Sequence, residues 1–525
     1  MTVDDNRRMR VGLRRLLVQA AGLAAAAGLA LTTLTGCDAV QRAPVVDTVG
    51  QVEFRNALTV PPLDRGTVGP DGVREFSLLA DEGVTEFTPG VPTKTWGYNG
   101  SYLGPTLAAT VGESVRVRVR SDLSVPTTVH WHGMHLPAEM DGGPHQVIDP
   151  GETWSPSWTV DQEPTTLWYH PHVHGDTEEH VEMGLAGMFL LEPTDPGRFG
   201  LPHRYGVDDI PIIVQDKRFT SSGQFTLATR GFVGSLGDTV LVNGTAGPYL
   251  DVTTELVKLR LLNGSSARTY RFAFDDAREF DLVGTDGGLL EAPYRTEHVQ
   301  LSPGERAEIV VRMDAGEQTV LRSTDPDLGM PGPIAAMNGG DDTLDILQLR
   351  AAPKLEESMP LADRFAPIPR MRAADAANER RFEMDGLQIN GQSMQMHMVN
   401  EIVQVDTTEI WKVRNRMQFA HSFHVHDVQF QVLSVDGKAP PPELAGWKDT
   451  IYTRPGVVYE LIMRFEDYTD PDTPYMYHCH FLAHEDAGMM GQFTVVEDAS
   501  TAPDVIEVEP PKGGGAPPTG HGGGH

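Results

Sequence analysis

Short runs in which apolar and polar residues alternate recur along the chain from about residue 52 to residue 497, separated by turns rich in Gly and Pro. "VKLRLLNGSSARTYRFAF" and "RAEIVVRM" have the period-two pattern of half-buried strands. The runs fall into three segments of similar length, 52–193, 194–352 and 373–497, each closing on an apolar alternating stretch such as "GLAGMFLLEP". A Pro- and Met-containing connection, 353–372, joins the second to the third. Residues 498–525, ending "PPKGGGAPPTGHGGGH", are too rich in Gly and Pro to build a core. One motif echoes through all three segments. "TVGESVRVRVRSDL" (110–123), "VTTELVKLRLLNGS" (252–265) and "VDTTEIWKVRNRM" (405–417) each read as a polar turn, a strand and a polar end. Three copies of one β-sandwich unit explain this, so an all-β fold is predicted.

The first 36 residues break the pattern. Arg7, Arg8, Arg10, Arg14 and Arg15 precede an uncharged run, 16–36, which reads as an export leader. A run of that length could instead span a bilayer as a permanent anchor. "LTGC" at 34–37 resembles a bacterial lipobox, which implies cleavage before Cys37 and lipidation of that residue. Arg14-Arg15 also resembles a twin-arginine export signal. The expectation is an exported protein of the cell envelope, tethered by lipid on the outer side of the membrane through Cys37, with residues 37–51 as a linker.

Length and composition change the picture little. The 525 residues suffice for about three domains of ordinary size. A formal charge of −31 argues against a nucleic-acid partner, which would need clustered Lys and Arg. Cys37 and Cys479 are the only cysteines, each with its own context, so no disulfide is expected. A monomer is the expected state.

The chemistry sits in the histidines. A chain with 19 His yields about one His-x-His by chance, but this one holds four dense clusters. They are "HWHG" (His130, His132), "WYHPHVHG" (His170, His172, His174), "HSFHVH" (His421, His424, His426) and "HCHFLAH" (His478, His480, His484). On a strand His478 and His480 face one way and Cys479 the other, while His421 opposes His424 and His426. Two sites follow. One gathers His130, His132, His170, His172, His424, His426, His478 and His480, too many imidazoles for one ion, so several metals must lie together. The other gathers Cys479, His421 and His484 with a downstream Met, a donor set of blue-copper type in which the main chain from Cys479 to its flanking histidines would wire the sites together. Zinc suits the same ligand types, but a redox-inert ion gives no reason for that wiring. His135, His145, His203, His298 and His397 are not expected to be ligands; His174 and His180 remain open.

At these residues the chain resembles the three-domain bacterial multicopper oxidases, the branch of copper-efflux oxidases, laccases and bilirubin oxidases, over nearly all of residues 52–497. The resemblance implies three consecutive cupredoxin-like Greek-key β-sandwich domains and four copper ions. It implies that His421, Cys479, His484 and Met489 hold the type 1 copper, that His130 and His424 hold type 2, and that His132, His170, His172, His426, His478 and His480 hold the type 3 pair. Met490 is then a packing residue. The implied reaction couples four one-electron oxidations of a reductant to reduction of O2 to water. Protons are consumed, and Asp141 and Glu485 match acidic residues the family uses for their supply, beside the metals rather than on them.

The reductant divides the family. Copper-efflux oxidases carry a Met-rich insertion and an acidic residue near the type 1 site, whereas this chain has a short connection and "RMQFA" before His421. Met394, Met396 and Met398 offer soft thioethers for Cu(I), or simply pack, and His521 and His525 in the tail could bind metal. Phenols, aromatic amines and Cu(I), the last with a role in copper tolerance, are the expected reductants. A non-catalytic copper-binding or copper-storage lipoprotein is the alternative.

Overall fold

The structure, a computed structural model, describes residues 45–227, 233–500, 502, 503 and 505. Cys37, the leader, and His521 and His525 lie outside the described residues. Six sheets of five to seven strands pair into three sandwiches, each filled by its own apolar core. The alternation explains this directly. In Ser114–Ser121 the Val residues at 115, 117 and 119 are buried and belong to the first core, while the Arg residues between them turn outward.

The three echoing motifs occupy one place in three copies. Ser114–Ser121 runs parallel to Arg74–Thr88 and antiparallel to Ser157–Thr159. Leu256–Asn263 lies likewise between Asp209–Lys217 and Arg306–Arg312. Thr407–Asn415 lies between Ala376–Asp385 and Val458–Phe465. Each sandwich's other sheet carries a second parallel pair formed with its last strand: Thr106–Thr110 with Gly187–Glu192, Pro248–Thr254 with Leu344–Glu356, and Glu401–Gln404 with Met490–Val496. Parallel pairing of strands distant in sequence requires the long crossovers of a Greek key rather than simple hairpins.

Two details differ from the segment boundaries read off the sequence. Asn56–Ala57 adds a parallel edge to the second sandwich at Pro248 and Tyr249, and the preceding stretch is bound there through Val46 N–H to Asp342 Oδ1 at 2.8 Å. Leu344–Glu356 also continues past Ala352. Backbone pairing decided both, and neither segment has an alternation strong enough to reveal its partner.

Candidate metal centre

Strand pairing brings the four histidine clusters together. His130–His132 lies antiparallel to Thr165–His170, with His130 opposite His170 and His132 opposite Trp168. Trp131, between the two histidines, points into the first core. In the third sandwich His421–Val425 pairs with Asp470–His478, setting His424 opposite His478. Two of the expected strands are shorter than the His spacing suggested. Pro171 ends one after His170, and the other stops at His478, before a short helix Leu482–Asp486. The side chains still divide between two faces, because Cys479 is buried in the third core while His478 and His480 meet the first sandwich.

Inside that core, Cys479 Sγ lies 3.6 Å from His421 Nδ1 and 3.5 Å from His484 Nδ1, and the two nitrogens are 3.1 Å apart. Met489 is fully buried in the same core; its carbonyl accepts from Cys479 N–H at 3.1 Å and its N–H donates to the His484 carbonyl at 2.9 Å. Burial pushes the Cys479 thiol up to about 12 and, with His484 beside it, holds His421 well below the usual imidazole range. A neutral thiol and neutral rings crowded this closely invite a cation, which would convert the thiol to thiolate. Cys479 is a free cysteine.

The second site forms between the first and third sandwiches. His132 Nδ1 lies 3.4 Å from His170 Nε2 and 3.2 Å from His480 Nε2. His478 Nε2 lies 3.2 Å from both His172 Nε2 and His426 Nε2. His130 and His424 use Nδ1 to bond the carbonyls of Asp141 and Asp449, at 2.9 and 2.8 Å, and leave Nε2 buried without any partner. Buried nitrogens are normally satisfied, so two orphans and two triads of nitrogens facing each other fit metal ions. Burial is the largest cause holding His132, His170, His172, His424 and His478 well below their ordinary pKa, and it brings His426 to about 4 and His480 to about 3. The rings are therefore neutral, the state in which imidazole binds a metal.

Asp141 and Glu485 are buried beside these rings. Asp141 Oδ2 accepts from His426 Nδ1 at 2.7 Å. Burial alone would raise its pKa, but His426 and His130 outweigh that and hold it below the usual carboxylate range. Glu485 stands 3.4 Å from His172 Nδ1 and 3.3 Å from His478 Nδ1; burial, reinforced by Asp486, raises it well above the usual carboxyl range. Two carboxyls driven in opposite directions at one site are suited to opposite proton roles.

Sequence reasoning missed Asp449, in "WKDT". It is fully buried, bonds His132 Nε2 at 3.0 Å, and is gripped by Arg306. No spacing rule could have joined a lone Asp to a histidine over three hundred residues away. Thr128 and Ser422, whose hydroxyls accept from the N–H of His172 at 2.6 Å and of His480 at 3.1 Å, were equally silent. Among the described residues, His135, His145, His203, His298 and His397 stand outside every donor group, and so do His174 and His180. His180 instead bonds Thr127 at 3.2 Å and packs on Trp96. Met394 joins Met476 and Met490 in a buried cluster with Met396 at its edge.

The chain is similar to known proteins. Family models described as multicopper oxidase match residues 80–196, 217–323 and 366–499. "Multicopper oxidase mco" of Staphylococcus haemolyticus is 34% identical over 445 residues, covering 84% of this chain and 93% of the relative. "Cell division protein FtsP" of Escherichia coli is 32% identical over 491 residues, 92% of this chain and 98% of its own length. Among solved structures, the laccase-like multi-copper oxidase CueO of Ochrobactrum sp., described with oxidase activity towards lignin model compounds and lignosulfonate, superposes with a TM-score of 0.76 at 32% identity, over 84% of this chain and 100% of that one.

Proposed function

This chain belongs to the multicopper oxidases, carrying four copper ions and acting on O2 with a reducing substrate, and from that premise we propose which residues do the work. His421, Cys479, His484 and Met489 hold the type 1 copper; His130 and His424 hold type 2. His132, His170 and His480 hold one type 3 ion, and His172, His426 and His478 the other. Copper bound there would supply one-electron redox chemistry, through which four electrons and four protons convert O2 to two waters. The chain supplies the rest. Cys479 and its peptide links to His478 and His480 join the two sites, while burial of both keeps bulk water away. Asp141, ionised, holds the Nδ1 proton of His426 and fixes that ring. Glu485, protonated, keeps a proton at its carboxyl within reach of His172 and His478.

The observation that carries this reading is the pair of donor sets joined through Cys479: a thiol with two imidazole nitrogens on one side, and triads of imidazole nitrogens on the other. A copper sequestrant would need the donors but not their connection. The same completeness speaks against a purely structural role of the kind the FtsP name invites. For the reductant we favour phenols and aromatic amines. Met394 is taken up by packing, and the Ochrobactrum relative's activity towards lignin model compounds points the same way. Cu(I), and with it copper tolerance, is the second reading, supported by the half-buried thioether of Met396.

Copper-loaded protein is predicted to show an intense red-region band that bleaches when a reductant is added without air, and to consume O2 faster with a substituted phenol than with Cu(I). Absence of the band at full copper occupancy would overturn the assignment of Cys479; faster uptake with Cu(I) would reverse the order of substrates. We also propose an exported, monomeric lipoprotein held on the membrane through Cys37. Cys37→Ser should move the protein from the membrane to the soluble envelope fraction, and unchanged membrane association would refute the anchor.

A further inference from the structure

Among the described residues, the second sandwich contributes no donor to either metal group, yet one of its side chains reaches the larger site. Arg306, at the start of strand Arg306–Arg312, is buried and spends its guanidinium on all three sandwiches. Nε donates to the Thr166 carbonyl of the first at 2.9 Å. The terminal nitrogens donate to the Asp286 and Gly304 carbonyls of the second, at 2.9 and 3.2 Å. They also grip Asp449 of the third in a two-pronged pair at 2.7 and 2.6 Å.

Asp449 in turn meets His132. Its Oδ1 lies 3.0 Å from His132 Nε2 and accepts from Thr450 Oγ1 at 2.9 Å. His132 is the odd ring of the larger site. Its partners His170 and His480 offer Nε2, as do His172, His426 and His478, whereas His132 turns Nδ1 toward them. A ring used that way round must carry its proton on Nε2, and the outer acceptor decides the tautomer. Space is reserved for the grip. Gly133 adopts a φ of +84°, and a Cβ there would stand 2.5 Å from Asp449 Oδ2 and 2.8 Å from an Arg306 nitrogen.

We infer that Arg306 is a positioning residue for the copper pair: by fixing Asp449 it keeps the His132 proton on Nε2 and Nδ1 free to bind. The inference rests on His132 being a copper ligand. A lysine would retain the charge but lose the two-pronged geometry, so Arg306→Lys isolates position from charge.

The test compares copper-loaded full-length wild type, Arg306→Lys, Asp449→Asn and the double variant. Measured are copper per chain, the EPR and near-ultraviolet signals of the type 2 and type 3 ions, the anaerobic bleaching rate of the blue band, and kcat and KM for a phenol. Each single variant should lose about 10- to 100-fold in kcat with altered type 2 and type 3 signals. KM, the blue band and its bleaching should stay at wild-type values. The double variant should be no worse than the poorer single, because both act through one contact. Losses that add, unchanged type 3 signals, or loss of the blue band together with thermal stability would reduce Arg306 to cement between sandwiches. If Arg306→Lys fails to fold, wild-type signals in Asp449→Asn alone would overturn the inference and altered ones support it. A wild type that binds four coppers without type 3 signals would sink the ligand assignment and the inference with it.

Discussion

Lowering the pH should destabilise the copper-free protein more than the copper-loaded one. Eight buried imidazoles, those of His132, His170, His172, His421, His424, His426, His478 and His480, have folded pKa values below the ordinary 6.5, chiefly through burial. Such a ring takes a proton more readily in the unfolded chain, so stability falls as the pH drops below about 6.5 and stops falling only at the folded pKa. For His426, at about 4, and His480, at about 3, the loss between pH 7.5 and pH 5 is about 2 kcal/mol each at 1.36 kcal/mol per pKa unit. The other six are also held well below 6.5 by burial and shift the stability in the same direction. Groups whose folded pKa is raised oppose this. Asp486, pushed to about 7 by burial, gains about 2 to 3 kcal/mol over the same interval, and Glu485 and His135, both raised, act in the same direction. His426 and His480 alone lose about 4 kcal/mol, a large share of the roughly 5–15 kcal/mol that holds an ordinary domain together. Copper on the ring nitrogens excludes the proton and adds its own binding energy to the folded state. Calorimetric melting of both forms at pH 7.5 and pH 5 measures the difference. An apo-protein as stable at pH 5 as at pH 7.5, or a holo-protein that loses as much, would refute the claim that these rings are buried and neutral.

Cys479→Ser should abolish the blue band and oxidation of any reductant while lowering copper from four per chain to about three, since a hydroxyl is a poor soft-metal donor; full activity in that variant would sink the electron-entry assignment. Glu485→Gln keeps the volume but cannot release a proton, so kcat should fall by about 10²- to 10⁴-fold with anaerobic reduction of the blue band unchanged; a wild-type kcat would remove Glu485 from proton supply. His135 is drawn down by burial but raised overall to about 9 by Asp427 and then Asp467, so its contribution is fully present below pH 6.5 and lost as the pH rises through about 9. His135→Gln should therefore cost up to about 3 kcal/mol at neutral pH and flatten the alkaline side of the stability profile; an unchanged slope above pH 8 would contradict this.

What the sequence could reveal depended on whether the signal was local. The strand echoes at 110–123, 252–265 and 405–417 predicted three equivalent places, and those places share one pairing pattern because period-two burial is a property of the strand itself. The opposed faces of Cys479 and its flanking histidines could be read for the same reason, and the division survives even though the strand stops at His478. Asp449 and Arg306 were invisible, because their partnership with His132 exists only after three sandwiches dock and neither residue type marks a ligand. Asp141 and Glu485 were expected beside the metals, but no sequence signal revealed their depth. A turn Asp before Gly-Gly and a Glu after a ligand could as well have been solvated, yet both are buried, and burial is what drives their proton affinities in opposite directions. Local alternation therefore places donors on a face, whereas docking decides which nitrogen of each ring is presented, so changes at sandwich interfaces should alter the copper sites without touching a ligand.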